Sequence, residues 1–62
     1  QGTSLQWGSV PGKRYQVWSK PNVVLAKWRE VGEPVTAQRS FTFFIDPAER
    51  EEFQFYRVQA LP

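Results

Sequence analysis

The sequence predicts an all-β protein, a small antiparallel β-sandwich of five or six short strands. Aromatic residues make up 16% of the 62 residues and stand among Val, Thr and Ile, which also favour strands. Pro or Gly recurs about every ten residues, the spacing of short strands joined by turns. Between these turns polar and apolar residues alternate, as in strands that bury one face. The chain is therefore predicted to be a single domain, residues 1–62.

The alternation and the turn residues place each element. In chain order we predict a strand at 4–7, a type II turn at 10–13, a strand at 14–20, an apolar loop at 22–27, a strand at 28–31, a turn at 32–34, an edge strand at 35–37, a strand at 41–45, one helical turn from 46 to about 51 and a last strand at 53–61. Pro11 and Gly12 supply the negative and positive φ of the type II turn. Asp46, Pro47 and Glu49 follow the order of a helix cap, a first helical residue and a capping-box partner. The apolar loop is expected to fold over an open end of the core.

The predicted core consists of the residues that share one parity along each strand. They are Leu5, Trp7, Tyr15, Val17, Trp28, Val31, Phe41, Phe43, Ile45, Tyr56, Val58 and Ala60. Three aromatic residues have the opposite parity, namely Trp18, Phe44 and Phe55. Because that parity faces solvent in a half-buried strand, these three are the more informative for function.

The composition argues against an enzyme. The chain has no His and no Cys, so most hydrolase, protease and metalloenzyme chemistries lack their central groups. The carboxylates of Asp46, Glu49, Glu51 and Glu52 lack the ordered ligand series and the Gly turn of an EF-hand, so we predict a helix cap there, with no metal and no cofactor. No stretch reaches the roughly 18 apolar residues of a membrane-spanning helix, so no membrane span is predicted.

Several segments, taken in order, form a recognisable pattern. They are Leu5 and Trp7, Pro11-Gly12, Tyr15 and Val17, Trp28, Val31-Gly32, Phe41 and Phe43 with Asp46-Pro47, and Phe55-Tyr56-Arg57-Val58. This order resembles the fibronectin type III-like modules, with an immunoglobulin-like sandwich, near the C-termini of large secreted bacterial proteins. The resemblance implies a secreted or cell-surface location, and it implies that the strands at 14–20 and 53–61 are neighbours in one sheet. A complete domain has about 100 residues and seven strands. This chain lacks room for the first and last strands, which would leave open sheet edges.

The outward aromatic residues define the predicted contact surface. If the strands at 14–20 and 53–61 are neighbours, Trp18 and Phe55 lie close together on an outer face, beside Gln16 and Arg57. Together with Phe44, these residues are predicted to contact a ligand or partner. A sugar ring could stack on them, a protein could bind them, or a neighbouring domain of the parent protein could dock there. The structural alternative is that the sheet buries both faces.

We therefore expect a non-catalytic accessory or spacer module of a larger secreted or surface protein, with carbohydrate or protein as the ligand of its aromatic face. An alternative from another class is a small basic β-barrel that binds single-stranded nucleic acid or a protein partner. The residues behind that alternative are Lys13, Arg14, Lys20, Lys27, Arg29 and Arg39, with Tyr15, Trp18 and Trp28. Glu30 and Glu33 interrupt this positive stripe, which weighs against nucleic acid. A third possibility is a homo-oligomer built through the open sheet edges.

Overall fold

Two antiparallel sheets packed together form the protein, which confirms the prediction of a small all-β sandwich. The computed structural model describes residues 2–21, 24, 26–48 and 54–62. Its strands are β1 (Thr3–Gly8), β2 (Arg14–Pro21), β3 (Arg29–Thr36), β4 (Phe41–Asp46) and β5 (Gln54–Ala60). β1 pairs with β4 in one sheet, and the other sheet has the order β3-β2-β5. Within the described ranges no helix is long and apolar enough to cross a bilayer.

The turn between β1 and β2 has the predicted geometry. Gly12 has a φ of 89°, and the Lys13 amide donates to the Val10 carbonyl at 3.0 Å. Both features belong to a type II turn with Gly at its third position. The Val10 amide also donates to the Tyr15 hydroxyl at 2.9 Å, which fixes the turn against the start of β2.

The core is narrow and lies between the inner faces of the two sheets. Val17 on the central strand β2 is 0% exposed, and Tyr15, Val31 and Ala37 are buried around it. The ring of Trp7 on β1 meets the ring of Tyr15 edge to face, with centroids 5.9 Å apart. This contact joins the two sheets through aromatic packing, a favoured arrangement for a ring pair.

Strand β4 buries the face opposite to the predicted one, so the prediction that Phe41, Phe43 and Ile45 belong to the core is wrong. These three side chains are 58%, 71% and 65% exposed, whereas Thr42 and Asp46 are buried. The register with β1 explains the reversal. Leu5 lies opposite Phe44 and Trp7 lies opposite Thr42, and directly opposed residues in an antiparallel pair share a face. The inward Leu5 and Trp7 therefore set the parity of β4.

Strand β3 is continuous, so the predicted turn at 32–34 and the separate edge strand after it are wrong. The register with β2 jumps from Tyr15↔Val35 to Val17↔Val31, which leaves one residue of β2 opposite three of β3. This irregularity is a bulge, and it includes Gly32 at a φ of 69°. The bulge accommodates Gly32 and Pro34 within β3, so the strand continues past them.

The loop after β2 and the segment after β4 differ from the prediction or fall outside the described residues. Val24 is 91% exposed, so this apolar residue does not cover the core. Residues 22, 23 and 25 lie outside the described ranges. The second half of the predicted helical turn from 46 to about 51, residues 49–51, also lies outside those ranges. The Ala48 amide donates to Asp46 Oδ1 at 3.1 Å, which is the contact of an Asx turn.

Candidate functional site

The outer face of the three-stranded sheet brings together most of the predicted contact residues. β2 and β5 pair antiparallel, with Trp18 opposite Arg57 and Lys20 opposite Phe55. Opposed residues share a face, so these four side chains form one surface, here called the outer aromatic face. Phe55 is 42% exposed and Trp18 is half-buried. The predicted proximity of Trp18, Phe55 and Arg57 therefore holds.

Cations lie over the indole rings of this face. The Arg57 guanidinium carbon is 4.8 Å from the Trp28 ring centroid and 5.7 Å from that of Trp18. Lys20 Nζ is 5.4 Å from the Trp28 centroid. Each such contact contributes about 0.5–1 kcal/mol at an exposed site. The Trp18 Nε1–H donates to Gln59 Oε1 at 3.0 Å, which holds that indole flat against β5. The cluster is thus ordered by its own contacts.

Two of the predicted contact residues serve the fold. Gln16 has the expected parity but is only 4% exposed. Its Nε2 donates to the carbonyls of Val17 and Gly32, at 3.0 Å and 3.2 Å, and so closes the bulge of β3. Phe44, predicted to face solvent, faces inward instead. Its Cζ is 3.6 Å from the point where a Cβ on Gly32 would stand, so the ring spans the gap between the two sheets.

Sequence reasoning assigned Trp28 to the core, and the structure corrects this. Trp28 precedes β3 by one residue, and its ring lies with Lys20 and Arg57 at the outer aromatic face. The strand alternation therefore does not apply to it. Trp28 also borders an open groove at the end of β2, together with Ser19, Lys20, Pro21, Ala26, Lys27, Arg29 and Gln54. The signal that could have found it is the run Lys27-Trp28-Arg29, an aromatic residue between two cations.

The opposite sheet exposes a row of apolar side chains that the sequence analysis had assigned to the core. Phe41, Phe43 and Ile45, here called the outer row, lie on one face of β4. Their partners on β1 are Gly8, Gln6 and Ser4. None of these six residues is charged. From the exposed fractions and ordinary side-chain areas, the outer row presents roughly 350 Å² of apolar surface, about the size of the largest patch on a typical monomer.

A buried carboxylate ties the two sheets together. Asp46 is 2% exposed, and its Oδ2 accepts from the Tyr56 hydroxyl of β5 at 2.8 Å. Its Oδ1 accepts from the Ala48 amide. A buried carboxylate needs such donors, because charge is costly to remove from water without them. Asp46 therefore joins the end of β4 to β5, a role beyond the predicted cap.

Comparisons with known proteins add no relationship. No family model matches the chain, and neither a curated protein nor a solved structure is significantly similar to it.

Proposed function

We propose that the chain is a non-catalytic accessory module of a larger secreted or surface protein, in which the outer row docks against a neighbouring domain of the same polypeptide. One observation carries the proposal, namely the exposure of Phe41, Phe43 and Ile45 side by side on one face of β4. Contiguous apolar surface of this kind marks a contact site in proteins that fold in water.

The chemistry of the face favours a protein surface as its partner. Ser4, Gln6 and Gly8 lie opposite the outer row, and none of them is charged. A partner that covers this face would therefore remove none of its charged groups from water, because the face has none. An apolar partner surface would then bury Phe43, and little free energy would be lost by desolvation of polar groups. Covering one such side chain stabilises by about 1.5–3 kcal/mol.

The size of the face favours a partner on the same polypeptide. Roughly 350 Å² falls short of the apolar surface of about 450 Å² that each partner contributes to a standard interface. Two domains that are covalently linked meet at a high effective concentration, so a smaller contact suffices to hold them. A tethered neighbour therefore fits this face better than a freely diffusing partner does.

The resemblance of the strand segments to fibronectin type III-like modules supports the same proposal. Modules of that kind belong to multi-domain secreted bacterial proteins. The resemblance implies that the strands at 14–20 and 53–61 are neighbours, and β2 and β5 are paired in this protein.

The test compares amide NMR spectra of the 62-residue chain alone and joined to the domain that adjoins it in its parent polypeptide. We expect joining to shift the amides of β1 and β4 while those of β2 stay in place. Phe43→Lys should abolish these shifts, because it introduces a charge into the contact. Val10→Lys is the matched control, since Val10 is 59% exposed on the turn and outside the outer row. Unchanged β4 amides on joining, or equal effects of the two variants, would contradict the proposal. Concentration-dependent shifts of the chain alone would instead indicate a homo-oligomer.

A further inference from the structure

A positively charged groove lies where β2 ends and β3 begins. Among the eight residues that line it, Lys20, Lys27 and Arg29 are cations. No Asp or Glu belongs to this described lining. Pro21, Ala26 and Trp28 supply apolar side chains to the described wall. The chain as a whole has a net charge of only +2, so this end of the sheet concentrates a large share of its positive charge.

The cations of the groove are not neutralised within the described part of the chain. No carboxylate of residues 2–21, 24, 26–48 or 54–62 pairs with Lys20, Lys27 or Arg29. Glu30 follows Arg29 directly, but in register it lies opposite Trp18. Three cations that pair with no described carboxylate attract an anion to this concave surface, and low-dielectric walls strengthen that attraction.

The indole at the groove wall is already covered by cations. Lys20 Nζ and the Arg57 guanidinium both lie within 5.4 Å of the Trp28 ring centroid. Stacking of a neutral sugar or a base on this ring would compete with these contacts. An anion instead meets Lys20, which already lies over the Trp28 ring, so less side-chain entropy is lost there on binding. The cluster therefore favours a ligand that carries negative charge.

We propose that this groove binds an acidic polysaccharide, with carboxylates of successive sugar units paired to Lys20, Lys27 and Arg29. This goes beyond the docking role, which uses the opposite sheet. Gln54 adds a polar side chain to the described lining, as sugar hydroxyls require. The groove is open at the surface, so it offers no deep pocket for an apolar peptide side chain. Single-stranded nucleic acid would need free aromatic faces for its bases.

The test is an NMR titration of the 62-residue chain with oligogalacturonate, a uronic-acid oligosaccharide, and in parallel with a neutral galactose oligosaccharide of equal length. We expect the acidic oligosaccharide alone to shift the Trp28 indole signal and the amides of Lys27 and Arg29. The double variant Lys27→Gln/Arg29→Gln should weaken the affinity about tenfold, which corresponds to loss of two charge contacts of moderate strength.

The matched control is Lys13→Gln/Arg14→Gln, which removes the same charge at the other end of β2, about 20 Å away along the strand. This variant should change the affinity less than twofold. All four substituted residues are exposed, so both variants should retain the amide spectrum of the fold.

Equal weakening by the two variants would show diffuse charge attraction and overturn the site. Equal binding of the neutral oligosaccharide, or no binding of the acidic one, would overturn the ligand class. Tighter binding of oligothymidylate or of polyglutamate through the same residues would replace the polysaccharide with nucleic acid or an acidic peptide.

Discussion

Replacement of Tyr56 by Phe removes the hydroxyl that donates to the buried Asp46 carboxylate, and it should destabilise the fold more than any other Tyr→Phe change in the chain. The hydrogen bond is 2.8 Å long and Asp46 is 2% exposed, so water cannot easily take the place of the lost donor. A hydrogen bond to a charged group contributes about 1.5–3 kcal/mol. We therefore expect a loss of about 2 kcal/mol in the free energy of unfolding, a large part of the roughly 3–9 kcal/mol typical for 62 residues.

Tyr15→Phe is the matched control for this change. The Tyr15 hydroxyl accepts from the Val10 amide at 2.9 Å, so its partner is an uncharged group. Val10 is 59% exposed, and water can reach its amide when the hydroxyl is removed. The expected cost is therefore about 0.5–1 kcal/mol.

Urea denaturation and thermal unfolding measure the two losses. Since 1 kcal/mol shifts the midpoint of a domain of this size by about 4–8 °C, Tyr56→Phe should lower it by about 8–16 °C and Tyr15→Phe by about 2–8 °C. In a double-mutant cycle, Asp46→Asn and Tyr56→Phe should show a coupling of at least about 1 kcal/mol. Equal midpoints for the two Tyr→Phe variants, or additive losses in the cycle, would refute a strong stabilising contact between Asp46 and Tyr56.

Three further predictions use the same unfolding assay. Gly12→Ala should cost about 1–2 kcal/mol because φ is 89° there, whereas Gly8→Ala, with open space around it, should cost nothing; equal losses would contradict the type II turn. Val17→Ala should cost about 2–3 kcal/mol at a fully buried site, and Ile45→Ala at most about 0.5 kcal/mol; a loss of about 2 kcal/mol for Ile45→Ala would restore the parity predicted for β4. Gln16→Ala should cost about 1–2 kcal/mol because the bulge loses its amide donor, and a neutral result would show that water replaces it.

The sequence allowed prediction of the sheet architecture but not of the face that β4 buries. Aromatic residues occur on both faces of the strand Phe41–Asp46, and the face with more apolar residues was predicted to lie in the core. Burial follows the partner strand instead. Trp7 is large and half-buried, and the small Thr42 stands opposite it. Thr42 Oγ1 lies 2.7 Å from the Ser9 hydroxyl, so its polar atom has a partner at the core edge. Knowledge of the β1–β4 register would have corrected the assignment. Alternation within one strand, however, does not show which residues of another strand lie opposite it.

The candidate surface was predictable where it depended on strand pairing and not where it depended on a loop. Trp18, Phe55 and Arg57 share a face because β2 and β5 pair, and alternation along two strands is enough to predict that. The place of Trp28 depends on how the chain re-enters the sheet ahead of Arg29. Loop residues have no periodicity, so the run Lys27-Trp28-Arg29 could mark Trp28 as a surface residue, but the groove beside it follows only from the three-dimensional arrangement.

The two proposed contacts respond differently to salt, and this separates them in one sample. The groove attracts its ligand through exposed cations, and such attraction is screened when the Debye length falls from about 10 Å at 0.1 M salt to about 3 Å at 1 M. The outer row carries no charge, and burial of apolar surface is maintained or strengthened by salts that are excluded from protein surfaces. In the chain joined to its neighbouring domain, a rise in salt should therefore release the acidic oligosaccharide from Lys27 and Arg29 while the β4 amide shifts persist. Simultaneous loss of both would mean that the groove and the outer row belong to a single, charge-dependent interface.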